Sequence, residues 1–124
     1  MEYIRNINNY KPKGHYSTAL IHNGLIFISG QLPINLETGD KVFGTISEEI
    51  SLVLQNIDII LHEAGSSKDK VLKTTVYVTD LSKWEEVNAI YSQFFGDHFP
   101  ARSVVAVAEL HFGVKVEMEV IASI

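Results

Sequence analysis

The chain has no cysteine among its 124 residues, which excludes a disulfide staple, a thiolate-held zinc or iron–sulfur centre and a thiol nucleophile. Positive charge is scarce as well. Lys and Arg number 10 against 15 Asp and Glu, for a net charge of −5, so a nucleic-acid duplex or an anionic membrane would meet net repulsion. Proline occurs 3 times, and no Pro/Gly-rich linker, charge run or internal repeat divides the chain. No apolar stretch approaches the length of a membrane span, and the opening MEYIRNINNYKPKGHYSTAL lacks the apolar segment of a signal peptide. What remains is 46% hydrophobic and 20% charged, the composition of a folded globular chain. The expectation is one soluble, cytoplasmic domain over residues 1–124.

Periodicity gives the elements. Ser17 to Ser29 splits at Asn23-Gly24, a dipeptide that favours a type I′ hairpin turn. The strand after it, LIFISG, is nearly all apolar and predicts burial on both faces. Gln31 to Gly44, holding Pro33, Gly39 and Gly44, reads as a long loop. Ile50, Val53, Leu54, Ile57, Leu61 and Ala64 then recur at helical spacing behind a capping-box pair, Thr45 and Glu48, with Gly65 as a stop. Val71 to Val78 reads as a strand between crossovers. A second helix carries the stripe Trp84, Val87, Tyr91 and Phe94 or Phe95, with Ser82 and Glu85 at capping-box spacing and Gly96 and Pro100 ending it.

Arg102 to Ala108 and Val114 to Ile121 read as a final hairpin, with Lys115, Glu117 and Glu119 on one face of its second strand. With Tyr3 to Ile7 as a short first strand, the order is β-β-β-α-β-α-β-β. Two helices can cover only one face of such a sheet. The other face then calls for a second subunit, and a closed symmetric oligomer is the economical form.

Chemistry is harder to find. His15, His22, His62, His98 and His111 show no metal-ligand spacing, and His62 near the end of the first helix reads as favourable charge placement. Glycines form no phosphate-binding pattern. Ser29 lacks the GxSxG context and, taken alone, is a strand-end residue bonded to nearby backbone. Arg102 stands apart, because an arginine at the mouth of an apolar strand needs an anion. Spacing leaves two readings open. One is an ion pair with Glu117 or Glu119; the other is a planar fork holding a ligand carboxylate. Glu117 is correspondingly an exposed strand carboxylate or a water-activating base.

The segments FPARSVVAVAEL and VKVEMEVIA, together with GHYSTA, FISGQLP, KTTVYVTDL and VNAIYSQFF in that family's order, resemble the RidA/YjgF family of enamine/imine deaminases over most of the chain. The resemblance implies an α+β, chorismate-mutase-like fold: a mixed sheet with two helices on one face, in a homotrimer with a central barrel and clefts between subunits. It implies hydrolysis of reactive 2-imino acids, released by pyridoxal-phosphate enzymes, to 2-keto acids and ammonia, with no metal or organic cofactor. Matched block by block, the family's arginine falls on Arg102 and its glutamate on Glu117 as the catalytic pair. Its substrate-binding positions fall on Tyr16, Ser29, Gly30 and Asn88, with Arg102 holding the carboxylate. The chain departs from the family at Val104, where many members have cysteine, at His15 in place of proline, and at Leu110-His111-Phe112 in place of LPK. Two rival readings accompany the resemblance: a non-catalytic trimer that binds small carboxylates or acts as a chaperone, and, third, an RNA-directed ribonuclease or translation inhibitor. Nucleic acid is not expected as a partner of so acidic a chain.

Overall fold

In the computed structural model, which describes residues 1–124, Asn23 and Gly24 both take positive φ, 50° and 76°. They close the expected I′ turn between β2 (Ala19–His22) and β3 (Leu25–Gln31). β1 (Glu2–Ile4) pairs antiparallel with β2. It stops short of the expected Ile7, which instead bridges Tyr10.

Helix α1 (Ile46–Glu63) starts as its sequence predicts. Thr45 Oγ1 accepts from the Glu48 amide at 3.2 Å, and Glu48 Oε1 accepts from the Thr45 amide at 3.0 Å. The face carrying Ile50, Val53, Leu54, Ile57, Ile60 and Leu61 is buried. β4 (Val71–Val78) follows.

Helix α2 (Trp84–Phe95) has its expected buried residues, Val87, Tyr91 and Phe95, but a different start. Asp80 accepts from both the Ser82 amide, at 3.0 Å, and the Ser82 hydroxyl, at 2.6 Å. The nearby carboxylate claims the serine as a donor, so the Ser82–Glu85 capping box does not form and a 3₁₀ turn, Leu81–Lys83, leads into the helix.

The final two strands, β5 (Ala101–Ala106) and β6 (Val116–Ser123), are not a hairpin. The sheet order is β1-β2-β3-β6-β4-β5. β6 lies antiparallel between β3 and β4, and β5 runs parallel to β4 at the edge. The reason is burial. Val116, Met118, Val120 and Ala122 are all 2% exposed or less, which a central strand provides and an edge strand does not. β5, delivered by the α2 crossover, takes the free side of β4.

The side of the sheet carrying Ile26, Ile28, Val76, Val78 and the four buried β6 residues packs with α1 and α2 into the core. On the other side the register aligns Tyr3, Leu20, Phe27, Ile121 and Lys73 in one row, and Tyr3 and Phe27 are 62% and 40% exposed. Within the chain, LIFISG is therefore buried on one face, not both, because both helices lie on the same side. Behind β3 the segment to Gly44 is a loop closed by an Ile34–Lys41 bridge. Asn56 of α1 holds it by donating to the Ile34 carbonyl at 2.6 Å. No helix is long and apolar enough to cross a membrane.

Candidate functional site

The register between β3 and β6 slips between Ile28 and Gln31, a bulge of the kind that re-aims side chains beside sites. Ser29 and Gly30 occupy it. The Ser29 hydroxyl donates to the Ser17 carbonyl at 2.6 Å, the backbone role its sequence context suggests, and this ties the bulge to the segment that carries Tyr16. Gly30 has no Cβ because Glu117 is there: a methyl group on Gly30 would collide with Glu117 Oε2.

Tyr16, Ser29, Gly30 and Glu117 thus line one cleft of about 750 Å³, with His111, Phe112 and Lys41 on its walls. Glu117 is half-buried, and burial raises its proton affinity above that of an ordinary glutamate. The charge of Glu119 raises it further, and His111 opposes both. Glu119 in turn accepts a hydrogen bond from the Tyr77 hydroxyl at 2.5 Å, which pushes the Tyr77 pKa up to about 12. The Tyr16 hydroxyl lies 3.3 Å from that of Tyr10, whose proton is held more tightly through burial first and Tyr16 second. Tyr10, which lines the same cleft, had no signal in the sequence that marked it as part of a site. Phe112 adopts φ 61°, the left-handed region uncommon for a bulky side chain, and Lys41 Nζ sits 4.0 Å from its ring centre.

Lys115 leaves the row expected with Glu117 and Glu119. Its ammonium donates to the Gly44 carbonyl at 2.8 Å and to Glu49 Oε2 at 3.2 Å, while its amide donates to Glu49 Oε1 at 2.7 Å. Glu49 is 1% exposed, so this buried carboxylate clamps the entry to β6 onto the start of α1. Two of the five histidines are occupied locally: His98 Nε2 lies 2.7 Å from the Val71 carbonyl and His62 Nδ1 lies 2.8 Å from that of Asp58.

Arg102 and Asn88 lie elsewhere. Arg102 Nη1 donates to Asn88 Oδ1 at 2.9 Å, and the guanidinium carbon is 4.9 Å from the ring centres of both Trp84 and Tyr91. Arg102 makes no ion pair with Glu117 or Glu119; the pairs in the chain are His62–Asp58, Lys83–Glu86 and Lys115–Glu49. The register explains this. Arg102 stands opposite Thr74 and Glu117 opposite Tyr77. Positions three apart on β4 point to opposite faces. The predicted residues therefore fall into two groups, Tyr16, Ser29, Gly30 and Glu117 in one and Arg102 and Asn88 in the other.

The model of the Endoribonuclease L-PSP family matches residues 6–124. The chain is 46% identical over 112 residues to a RutC family protein of Pyrococcus abyssi, across 90% of this chain and 88% of that one. A conserved Rid family protein of Yersinia pestis superimposes with a TM-score of 0.94 at 44% identity, covering 99% of this chain and 98% of that one. Escherichia coli TdcF with bound serine superimposes with a TM-score of 0.86 at 34% identity, covering 99% and 96%. With the mixed sheet and two helices of that fold, the chain belongs to the RidA/YjgF family, also called RutC or L-PSP.

Proposed function

We propose that the protein is a 2-iminobutanoate/2-iminopropanoate deaminase, hydrolysing reactive enamine/imine products of pyridoxal-phosphate enzymes to 2-keto acids and ammonia. The observation that carries this reading is the split site. A guanidinium without a carboxylate partner is held against two rings, and a half-buried glutamate of raised proton affinity lies on the other face of the same sheet. They become one site only when Arg102 of one copy meets Glu117 of another, as in the homotrimer with intersubunit clefts that the family resemblance implies. The exposed row around Phe27 and the exposed edge strand β5 support such an assembly.

Arg102 takes the substrate carboxylate with two parallel hydrogen bonds, with Asn88 fixing the guanidinium. Glu117 accepts a proton from a water whose oxygen bonds to C2, and hands that proton to the nitrogen, which has received the electron pair of the C=N π bond, so that a neutral amino alcohol forms. Glu117 then accepts the proton of the C2 hydroxyl as its oxygen becomes the keto group and passes it to the amine nitrogen, the C–N bond breaks with its electron pair going to nitrogen, and ammonia leaves. Ser29 and the Gly30 backbone border the reacting centre, and Tyr16 lines it. The sum is imino acid plus water giving keto acid plus ammonia.

The serine on TdcF supports a small carboxylate-bearing ligand and equally favours the second reading, a trimer that binds such molecules without turning them over. The net charge of −5 stands against RNA as the ligand.

The deciding experiment measures keto-acid and ammonia release from 2-aminocrotonate generated in situ by a pyridoxal-phosphate dehydratase. We expect acceleration by the wild type and a loss of roughly 10²- to 10⁴-fold in kcat/KM for Arg102→Ala, the worth of two charge-assisted hydrogen bonds. Binding of 2-oxobutanoate without any acceleration would replace the deaminase reading with the binding one.

A further inference from the structure

Three side chains of α2 address Arg102 at spacings of four and three: Trp84, Asn88 and Tyr91. Those spacings put them on one helical face. Only Asn88 offers a hydrogen bond. The other two offer ring faces, to which a guanidinium is drawn electrostatically. The Tyr91 ring cannot drift, because its hydroxyl is 2.8 Å from the Thr74 hydroxyl and Thr74 is fully buried. The Tyr91 ring is thus pinned to β4, the strand beside the one that carries Arg102.

The arrangement is costly to explain as packing alone. Arg102 itself is exposed, and an exposed arginine normally samples many rotamers. Here two rings and one amide oxygen restrict it, yet of its five N–H donors only one, on Nη1, is used within the chain. The remaining donors are ordered and unspent. A ligand carboxylate arriving at such a group does not have to freeze it, which is how preorganisation raises affinity.

Resting on the deaminase reading of Arg102, we infer that Trp84 and Tyr91 are positioning residues that hold the carboxylate-binding guanidinium in its working orientation, and that Trp84 reports occupancy of that site. The report follows from composition: Trp84 is the sole tryptophan of the chain, so indole emission has one source, and it lies against the group that changes partner when a carboxylate binds.

The test titrates the full-length protein with 2-oxobutanoate, followed by calorimetry and by indole emission, alongside turnover of 2-aminocrotonate. The emission change is expected to follow the calorimetric binding curve, with the same midpoint. W84L should weaken 2-oxobutanoate binding and raise KM by about two- to thirtyfold, the range of a cation–π contact, with kcat nearly unchanged, because the ring touches the arginine and not the reacting carbon. W84F, which keeps a ring, should recover most of that loss, an outcome a purely structural role would not give. Y91F, which frees the ring from Thr74, should raise KM in the same way by a smaller factor.

Wild-type affinity and KM in W84L, with R102A inactive, would overturn the inference and leave the deaminase reading standing. Neither binding nor turnover by the wild type would remove that reading itself. Should W84L fail to fold, the wild-type emission decides: no change at saturating 2-oxobutanoate overturns the inference.

Discussion

Glu117 Oε2 occupies the space that a side chain on Gly30 would need. The glycine in the β3 bulge and the carboxylate on β6 are therefore one unit. Gly30→Ala should push the flexible end of Glu117 out of its place while the backbone hardly moves. We expect kcat to fall by roughly 10²-fold, the scale of a small misplacement of a reacting group. A melting temperature close to that of the wild type, measured beside the kinetics, would show that the loss is positional. Unchanged turnover would mean that Glu117 does not act from where it sits.

The raised proton affinity of Glu117, owed first to burial and then to Glu119, has opposite consequences for rate and stability. A general base works ionised, so kcat/KM should fall on an acid limb lying above the ordinary glutamate value of 4.5. Glu119→Gln removes the neighbouring charge and should move that limb towards lower pH in a pH–rate profile. For stability, the folded state holds the Glu117 proton to higher pH than the unfolded chain does. It binds more protons in that window, and stability falls as pH rises through it. Glu117→Gln, neutral throughout, should melt at a higher temperature than the wild type at pH 7 while losing turnover. A lower melting temperature would contradict the sign.

Glu49 satisfies the Lys115 amide at 2.7 Å and the Gly44 amide at 3.3 Å from a position 1% exposed. Glu49→Ala strands both part-buried donors, at up to about 1–3 kcal/mol for each. Lys115→Ala removes a half-exposed ammonium but leaves Glu49 its two amide donors, so it should cost less than Glu49→Ala. Urea unfolding of the two variants, with unchanged slope, separates these outcomes.

Local order was legible in the sequence and long-range pairing was not. The Thr45 cap, the α1 stripe, β4 and the Asn23-Gly24 turn are each specified by residues within a few positions of one another, and each forms as read. β5 and β6 are close in sequence with Gly113 between them, which is what a hairpin looks like. Their separation depends on β6 finding β3 and β4, strands that its own spacing does not mention. Ser82 shows the same limit at short range, since Asp80 competes for it. At the site, residue types came from the resemblance of blocks such as ARS and EME. That Arg102 and Glu117 face opposite ways needed both the strand alternation and the true register. Trp84 and Tyr91 were read as part of the apolar stripe of α2, and Tyr91 does lie in the core, but a stripe at helical spacing does not reveal that one end of it lies under an arginine.

The edge position of β5 also bears on the newly made chain. ARSVVA presents exposed side chains along its length and an unpaired row of backbone donors and acceptors, a template on which another extended chain can add. Small apolar residues without proline make it a segment of the kind that nucleates cross-β stacking. Arg102 is its one charge, and charge at an edge strand is what discourages such stacking. On the proposed function the same side chain serves twice, as a ligand hook at the site and as a charge that discourages stacking of the strand. Replacing it with an apolar residue is then expected to lower solubility of the newly made chain as well as turnover.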